Sequence, residues 1–338
     1  MLVFSLVYMP VQAQKKKTET KPGEEVPVIT TNPEINPLTN DTVKALRKPL
    51  KKEDLASQRV FNRMETALQF ADSVYIMDFP QSCCAELPKD IGKLRHLQAL
   101  YMGSSELVLI DSSIAKLQNL QILDLKYNHL RDLPAQMAEL KHLEYLDLQK
   151  NKFITIPKVI GQIPNLKYLD LSLNIGLMKE GTIPNEIGNL TELESLMLSG
   201  NMLAKLPSSI TGLKKLKDLN LNVNRLKEIP AEIFQLVNLE KLHVRKNGLK
   251  ALPSQVGNLK KLKELDISGN QFNTIPEVVY SLANLEVLNL AENQFTTLPQ
   301  GIYQLKKLKE LHLEGNKIKP EEVNALKNAL GATTRVYF

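Results

Sequence analysis

The chain has 338 residues, of which 43% are hydrophobic and 24% charged, and its net charge is +6. This composition excludes collagen-like and wholly disordered chains, whose apolar content is far lower. The 43 basic and 37 acidic residues are interspersed, so the charge permits an anionic partner without requiring one.

The first 13 residues have the features of a secretory signal peptide. Residues 1–11 are almost wholly apolar but too few to span a bilayer, which takes about 17–25 residues. Val11 and Ala13 are small residues at the spacing that a signal peptidase accepts, although no basic residue precedes the apolar stretch. We therefore expect a cleaved segment at residues 1–13 and a secreted or periplasmic protein. A cytoplasmic protein is the alternative.

The next part of the chain changes from polar to amphipathic. Residues 14–45 are rich in Pro, Thr, Lys and Glu and cannot bury enough surface to offset the entropy of ordering, which predicts a flexible tether. A stripe of apolar residues then predicts a helix over residues 53–71, and we place a helical N-terminal cap at residues 46–70. The stripe consists of Leu55, Val60, Phe61, Met64, Leu68 and Ala71.

From Ala71 onward, one pattern repeats with a period of 23 residues. It gives 11 units over residues 71–318, and such a period is typical of a solenoid whose units bury their apolar positions against one another. The unit at residues 163–189 is four residues longer than the others. After Ile318, a helix from Pro320 and a strand near the end predict a C-terminal cap at residues 319–338.

Each unit predicts a short strand, a buried polar turn and an irregular return. The Leu-x-x-Leu-x-Leu stretch, as in Leu120 to Leu125, ends with the alternation of a strand. Leu-Pro suits a return in 3₁₀ or irregular conformation. An asparagine recurs between them, and burying it unpaired would cost roughly 1–3 kcal/mol, so we expect a ladder of hydrogen bonds to adjacent coils. The ladder positions are Asn128, Asn151, Asn174, Asn201, Asn224, Asn247, Asn270, Asn293 and Asn316.

The pattern LxxLxxLxLxxNxLxxLPxxIGx resembles that of leucine-rich repeat proteins of the 23-residue type, similar to the Ras-group intracellular subclass and to bacterial members. The resemblance implies an α/β solenoid: a curved horseshoe with a parallel sheet on the concave face, and irregular, 3₁₀ or helical segments on the convex side. It also implies a protein-recognition module, with a cytosolic signalling scaffold as an alternative.

Side chains that point out of the concave face are the candidates for partner binding. Large aromatic side chains offer contact area at low entropy cost, and stacked aspartates repel one another unless a cation or a basic partner is near. We expect a protein or peptide with basic and apolar side chains to bind here; a bland solvated surface is the alternative. The predicted contacts are Tyr101, Ile122, Asp124, Tyr127, Tyr145, Asp147, Tyr168, Asp170 and Leu173.

Two basic features complete the surface. Lys241, His243, Arg245 and Lys246 form a secondary basic patch, with a candidate charge pair between His243 and Asp266. A lysine edge precedes alternate strands and is interpreted as a solvated rim, with adhesion to a polyanion as the alternative. No aromatic residues interleave with it, which disfavours nucleic acid. The lysine edge consists of Lys214, Lys215, Lys217, Lys260, Lys261, Lys263, Lys306, Lys307 and Lys309.

Nothing in the sequence favours catalysis. The five histidines are scattered, and neither a nucleophile elbow nor a phosphate loop is present. The concave-face carboxylates are expected in an open trough, where their pKa values would not be raised. We expect no metal, cofactor, small-molecule substrate or membrane span, and a monomer. Cys83 and Cys84 are adjacent, and a bond between them is not expected.

Overall fold

A computed structural model describes residues 50–174, 183–330 and 333–338. The predicted signal peptide at residues 1–13, the predicted tether at 14–45 and the start of the predicted N-terminal cap lie outside the described residues. So do the extra residues of the long repeat.

The described residues form 13 short strands that pair in chain order as one parallel sheet. Strands of neighbouring repeats are in register, so that Tyr145 lies opposite Tyr168 and Asp147 opposite Asp170. The strands are β1 Val60–Phe61, β2 Ile76–Asp78, β3 Ala99–Tyr101, β4 Ile122–Asp124, β5 Tyr145–Asp147, β6 Tyr168–Asp170, β7 Ser195–Met197, β8 Asp218–Asn220, β9 Lys241–His243, β10 Glu264–Asp266, β11 Val287–Asn289, β12 Glu310–His312 and β13 Arg335–Tyr337.

Between β1 and β12, short 3₁₀ helices return the chain from each strand to the next. A proline precedes most of them, for example Pro134 with a φ of −67°, because its fixed φ suits entry into this conformation. They span Ala71–Ser73, Lys89–Lys93, Ser112–Lys116, Ala135–Glu139, Lys158–Gln162, Asn185–Asn189, Ser208–Gly212, Ala231–Gln235, Ser254–Asn258, Glu277–Ser281 and Gln300–Gln304. The predicted α/β solenoid, with a parallel sheet on one side and 3₁₀ segments on the other, is confirmed.

The ends of the sheet carry the α-helices. Instead of one helix over residues 53–71, the structure has α1 Lys52–Leu55 and α2 Met64–Leu68, separated by β1. Val60 and Phe61 pair with Ile76 and Met77, so the sheet ends in a two-residue edge strand, and such short edges resist pairing with other chains. At the other end, α3 Pro320–Leu330 precedes β13. Among the described residues, no helix has both the length and the apolar character needed to cross a bilayer.

The core lies between the sheet and the 3₁₀ segments. The middle residue of each strand points into it, as Leu123, Leu146 and Leu169 do, and these side chains are fully buried. Phe153 and Phe272 fill the turn side of the same core. Because the middle residue points inward, the first and third residues of each strand lie on the opposite face of the sheet.

The ladder asparagines connect successive coils. Each side-chain amide donates to a carbonyl of its own repeat and to one of the preceding repeat. Asn174 donates to Leu171 O at 2.8 Å and to Leu148 O at 3.1 Å, and its Oδ1 accepts the N–H of Asn151 at 3.0 Å. The same two amide donations are present at Asn128, Asn151, Asn201, Asn224, Asn247, Asn270, Asn293 and Asn316.

A disulfide joins Cys83 to Cys84, so the expectation that these neighbours would not bond is wrong. The low cysteine count argues against a network of disulfides, but it does not exclude a single bond between two adjacent cysteines. Both side chains also pack partly against the core.

Neighbouring 3₁₀ segments approach closely at Gly188 and Gly212. A Cβ on Gly212 would overlap the carbonyl oxygen of Gly188, which no side-chain rotation can relieve. We expect Gly212→Ala to lower the free energy of unfolding by about 1–3 kcal/mol, the usual cost of overpacking, seen as a lower urea midpoint. Gly248→Ala is the matched control, because its Cβ would lie 3.5 Å from Leu226 O. Equal shifts in both variants would contradict this account.

Candidate interaction surface

The predicted contacts form one continuous region on the sheet face that points away from the core. We call this region, made of the nine predicted contact residues, the tyrosine–aspartate patch. Tyr145 and Tyr168 lie side by side on β5 and β6, with ring centroids 4.4 Å apart and planes tilted by 3°. The structure therefore brings these two tyrosines together as a stacked pair, and they do not turn into the core.

The first residues of neighbouring strands make a second apolar cluster on this face. Ile76, Ala99, Ile122 and Tyr145 are buried together, and Tyr101 and Tyr168 pack against them. The cluster also contains Leu55 from α1, which sequence analysis assigned only to the N-terminal cap. We call this group the Leu55 cluster. Ile122 and Tyr145 are consequently much less exposed than a bare contact surface would leave them.

The aspartates at the third strand position are also buried. Asp124, Asp147 and Asp170 lie in register on β4, β5 and β6, and Asp147 is only 2% exposed. Each Oδ1 accepts the backbone N–H two residues later, as Asp147 does from Gln149 at 2.9 Å. Lys126 Nζ lies 2.8 Å from Asp124 Oδ2, and the Tyr168 hydroxyl donates to Asp170 Oδ2 at 3.4 Å. The row is therefore a buried, partly compensated line of negative charge.

Burial changes the acidity of this row. Desolvation, followed by the charges of Asp124 and Asp170, raises the pKa of Asp147 to about 7. Desolvation also raises the pKa of Asp170 and that of the Tyr145 hydroxyl. The expectation of an open trough with ordinary carboxylates is wrong, because these side chains fold back onto the backbone beside large aromatic neighbours. Near neutral pH, a positive charge placed beside the row would favour the ionised form of Asp147.

Tyr127 and Leu173 lie at the edge of the patch, just after the strands end. Both have a left-handed backbone, with φ of 56° and 60°, and both are 41% exposed. Glycine occupies this position in other repeats, for example Gly200, so large apolar side chains here are held out at some conformational cost. The Lys150 ammonium lies 5.0 Å from the centroid of the Tyr127 ring. These two residues are the most exposed apolar members of the patch.

The secondary basic patch is matched by acidic neighbours. Arg245 lies 2.8 Å from Glu292, and Lys241 lies 3.1 Å from Glu264. His243 Nε2 lies 3.7 Å from Glu264 Oε1, whereas the candidate partner Asp266 accepts hydrogen bonds from the amide and hydroxyl of Ser268. The proposed His243–Asp266 pair is therefore replaced by a contact with Glu264.

At the position just before each strand, the lysines of the edge alternate with glutamates on the intervening repeats, whereas Lys261 and Lys307 bond to asparagines. Four of its lysines lie within 2.8 Å of a glutamate carboxylate on the preceding repeat: Lys215 with Glu192, Lys217 with Glu194, Lys263 with Glu240, and Lys309 with Glu286. Such surface pairs contribute little stability, about 0–1 kcal/mol each. They do change the charge pattern, because the position just before each strand alternates in sign. A continuous positive stripe is absent from this set.

Three residues on this face were not predicted from the sequence. Leu55 is one, and the others are Gln98 and Gln121, which are buried just before β3 and β4. The available signal was that both glutamines occupy a repeat position that carries charge in later units, such as Glu144 and Lys167. Within the described residues, no group of three or more His, Cys, Asp or Glu side chains is arranged to hold a metal.

Comparisons with known proteins agree on one kind of repeat. A family model described as leucine rich repeat matches residues 214–272 and 260–318. A second model, described as leucine-rich repeat region, matches residues 113–201. A stretch of 54 residues is 46% identical to a leucine-rich repeat receptor-like protein kinase of Arabidopsis thaliana that is thought to be inactive, covering 16% of this chain and 7% of that protein.

Solved structures show the same architecture. A TDR receptor is 25% identical with a TM-score of 0.65, over 86% of this chain and 52% of the receptor. The plant peptide hormone receptor RGFR1, in complex with RGF2, is 26% identical with a TM-score of 0.62, over 83% of this chain and 46% of the receptor. An internalin of Listeria monocytogenes, InlF, is 22% identical with a TM-score of 0.62, over 80% and 82% of the two chains, and shows the fold alone. The chain thus spans about half the length of the two receptors.

Proposed function

Because the chain belongs to the leucine-rich repeat proteins, we propose that it is a non-enzymatic protein–protein interaction module. Its partner is a protein or peptide that binds the exposed sheet face at the tyrosine–aspartate patch. The similarity to a peptide hormone receptor in complex with its peptide supports this class of partner. A surface held by a hydrogen-bonded sheet needs little ordering on binding, so more of the contact energy appears as affinity.

The observation that carries this proposal is the stacked Tyr145–Tyr168 pair beside the buried aspartate row. Tyr168 is partly exposed and offers flat, rigid contact area, and the buried Tyr145 ring stacks against it and holds it in place. Asp147 and Asp170 favour a basic side chain next to it. Tyr127 and Leu173 add exposed apolar surface at the edge. A partner with apolar residues beside lysine or arginine matches this combination.

The test is to select peptides from a displayed random library on the immobilised full chain, and to measure their affinity for the wild type and for the Tyr145→Ser, Tyr168→Ser double variant. We expect enrichment of Lys or Arg beside apolar residues, and at least a tenfold loss of affinity in the double variant, as is usual when aromatic hot spots are truncated. Substituting the lysine edge as Lys260→Gln, Lys261→Gln is the control and should leave affinity unchanged. Equal affinity of the tyrosine variant and the wild type would overturn the proposal.

Adhesion to a polyanion through the lysine edge would give the opposite pattern. Binding would fall steeply with added salt and would depend on the lysine variant rather than on the tyrosines. The alternation of Lys217, Lys263 and Lys309 with glutamates weighs against this function.

We propose a secreted or periplasmic location for the mature protein. The apolar segment at residues 1–13 and the disulfide between Cys83 and Cys84 both support it, because disulfides persist in oxidising compartments. N-terminal sequencing of the protein from its natural host tests this. A mature chain that begins at Gln14 agrees with export, whereas a retained Met1 points to the cytoplasmic scaffold.

A further inference from the structure

The segment just before β1 lies on the same sheet face as the tyrosine–aspartate patch. Leu55, at the end of α1, is only 4% exposed and packs in one cluster with Ile76, Ala99, Ile122 and Tyr145. These partners are first residues of β2 to β5, so Leu55 is buried outside the main core. It is held by the surface that faces away from the 3₁₀ segments.

The main chain of this segment is held as well. Gln121 Nε2 donates to the carbonyl oxygen of Leu50 at 2.9 Å and to Gln98 Oε1 at 3.0 Å. Both glutamines are buried, so each depends on such partners to remain satisfied. One apolar side chain and one backbone carbonyl are thus recognised by preformed groups of the sheet face, which is how protein surfaces bind peptide segments.

Among the side chains of this turn that the structure describes, Leu55 is inserted and its neighbours face outward. The N–H groups of Asp54 and Leu55 both donate to Lys51 O, which closes a single helical turn. Lys51, Asp54, Ala56 and Ser57 are exposed. The described part of the segment therefore binds as a short turn with one aliphatic anchor.

The sequence of the segment shares two features with the proposed partner. Two basic residues, Lys51 and Lys52, come shortly before the aliphatic Leu55, with the acidic Glu53 and Asp54 between them. The face beneath combines apolar first-strand residues with the aspartate row at the third strand position. Basic residues followed by an aliphatic anchor are what this combination favours.

We propose that residues 50–55 are a built-in pseudo-ligand that occupies one end of the partner-binding face. This inference rests on the proposed function and adds its regulation: a partner binds by displacing Leu55 and placing its own aliphatic side chain against Ile122 and Tyr145. The apparent affinity for the partner is then reduced by the fraction of molecules in which the segment is bound.

The test uses the full chain with Leu55→Ser and a fluorescein-labelled synthetic peptide of residues 48–58, KPLKKEDLASQ. We expect fluorescence anisotropy to show binding of this peptide to the Leu55→Ser chain, at least tenfold more tightly than to the wild type, whose own segment competes. The titration extends to about 2 mM, the range of effective concentration that a short tether provides. The same peptide with serine in place of Leu55 should bind neither chain.

Two controls separate release of the segment from damage to the fold. Ala56→Ser alters an exposed residue of the same segment and should behave as the wild type. Circular dichroism of Leu55→Ser should match the wild type, because Leu55 lies outside the main core. Equal peptide affinity for the wild type and Leu55→Ser, or no binding to Leu55→Ser up to about 2 mM, would overturn the inference.

A second experiment uses a library-selected peptide that binds the tyrosine double variant more weakly than the wild type. We expect it to bind Leu55→Ser at least tenfold more tightly than the wild type, and unchanged affinity would overturn displacement. Failure of the proposed function gives a different result. Library-selected peptides would then bind the wild type and the tyrosine double variant equally, while the peptide of residues 48–58 would still bind Leu55→Ser more tightly than the wild type.

Discussion

We expect Asn174→Ala to lower the free energy of unfolding by about 3–5 kcal/mol, a large loss for a single substitution. Asn174 has no solvent exposure, and its side chain bonds to the carbonyls of Leu148 and Leu171 and to the N–H of Asn151. Alanine would leave the Asn151 N–H buried without a partner, at roughly 1–3 kcal/mol. It would also remove one of the two hydrogen bonds that each carbonyl accepts, at about 0.5–1.5 kcal/mol each, because Leu148 O still accepts from Asn151 Nδ2 and Leu171 O from Asn201 Nδ2. Urea unfolding followed by circular dichroism measures the change.

Asn165→Ala is the matched control. Its Nδ2 also donates to a carbonyl of the preceding repeat, Lys141 O at 2.8 Å, but this bond is exposed and water can replace it. We expect a change within about 0.5 kcal/mol for this variant. Because repeats contact only their neighbours, Asn174→Ala should also separate the unfolding of the repeats before and after it. An unchanged midpoint, or equal losses in both variants, would show that the ladder does not stabilise the coils.

The repeat architecture follows from short-range patterns that recur many times. Leucine spacing places Leu123, Leu146 and Leu169 in the core, and the asparagine in each unit follows the strand at a fixed distance. The same spacing recurs in 11 units, so the one irregular unit, at residues 163–189, does not change the assignment of positions in the others. The leucine-rich solenoid could therefore be predicted from the sequence alone.

The state of the sheet face could not be predicted in the same way. Leu55 reads as one member of a helical stripe, yet it packs against residues 21 to 90 positions later in the chain, from Ile76 to Tyr145. Such a contact depends on where a non-repeating segment crosses a repeating surface, and period alone carries no information about that. The burial of Asp124 and Asp147 was missed for the related reason that carboxylates at a solvent-facing position are ordinarily hydrated.

Charge alternation was visible in the sequence but easy to overlook. The residue just before each strand changes sign from Lys217 to Glu240 to Lys263, which predicts pairing once the strands are in register. Considering only the lysines suggests a positive stripe. Taking both signs at one repeat position gives the salt bridges that the structure contains.

At pH 7.5, we expect Asp147→Asn to raise the free energy of unfolding by on the order of 3 kcal/mol, and at pH 4 to change it little. The pKa of Asp147 is raised in the folded protein from 3.8 to about 7, so the folded state binds its proton more tightly than the unfolded state does. The stability gained from that proton is fully present below pH 4 and is lost as the pH rises through 7. Asparagine removes the charge but keeps an oxygen to accept the Gln149 N–H, which Asp147 accepts at 2.9 Å.

Urea midpoints at pH 4, 5.5 and 7.5 measure this dependence, with Asp132→Asn as the control. Asp132 is exposed and also accepts a backbone N–H, from Leu133 at 2.8 Å, so its substitution should have the same small effect at every pH. A loss of stability in Asp147→Asn at pH 7.5 would mean that the carboxylate is ionised and paired in the folded protein. In that case the aspartate row would already be neutralised, and it would offer no advantage to a basic side chain of a partner.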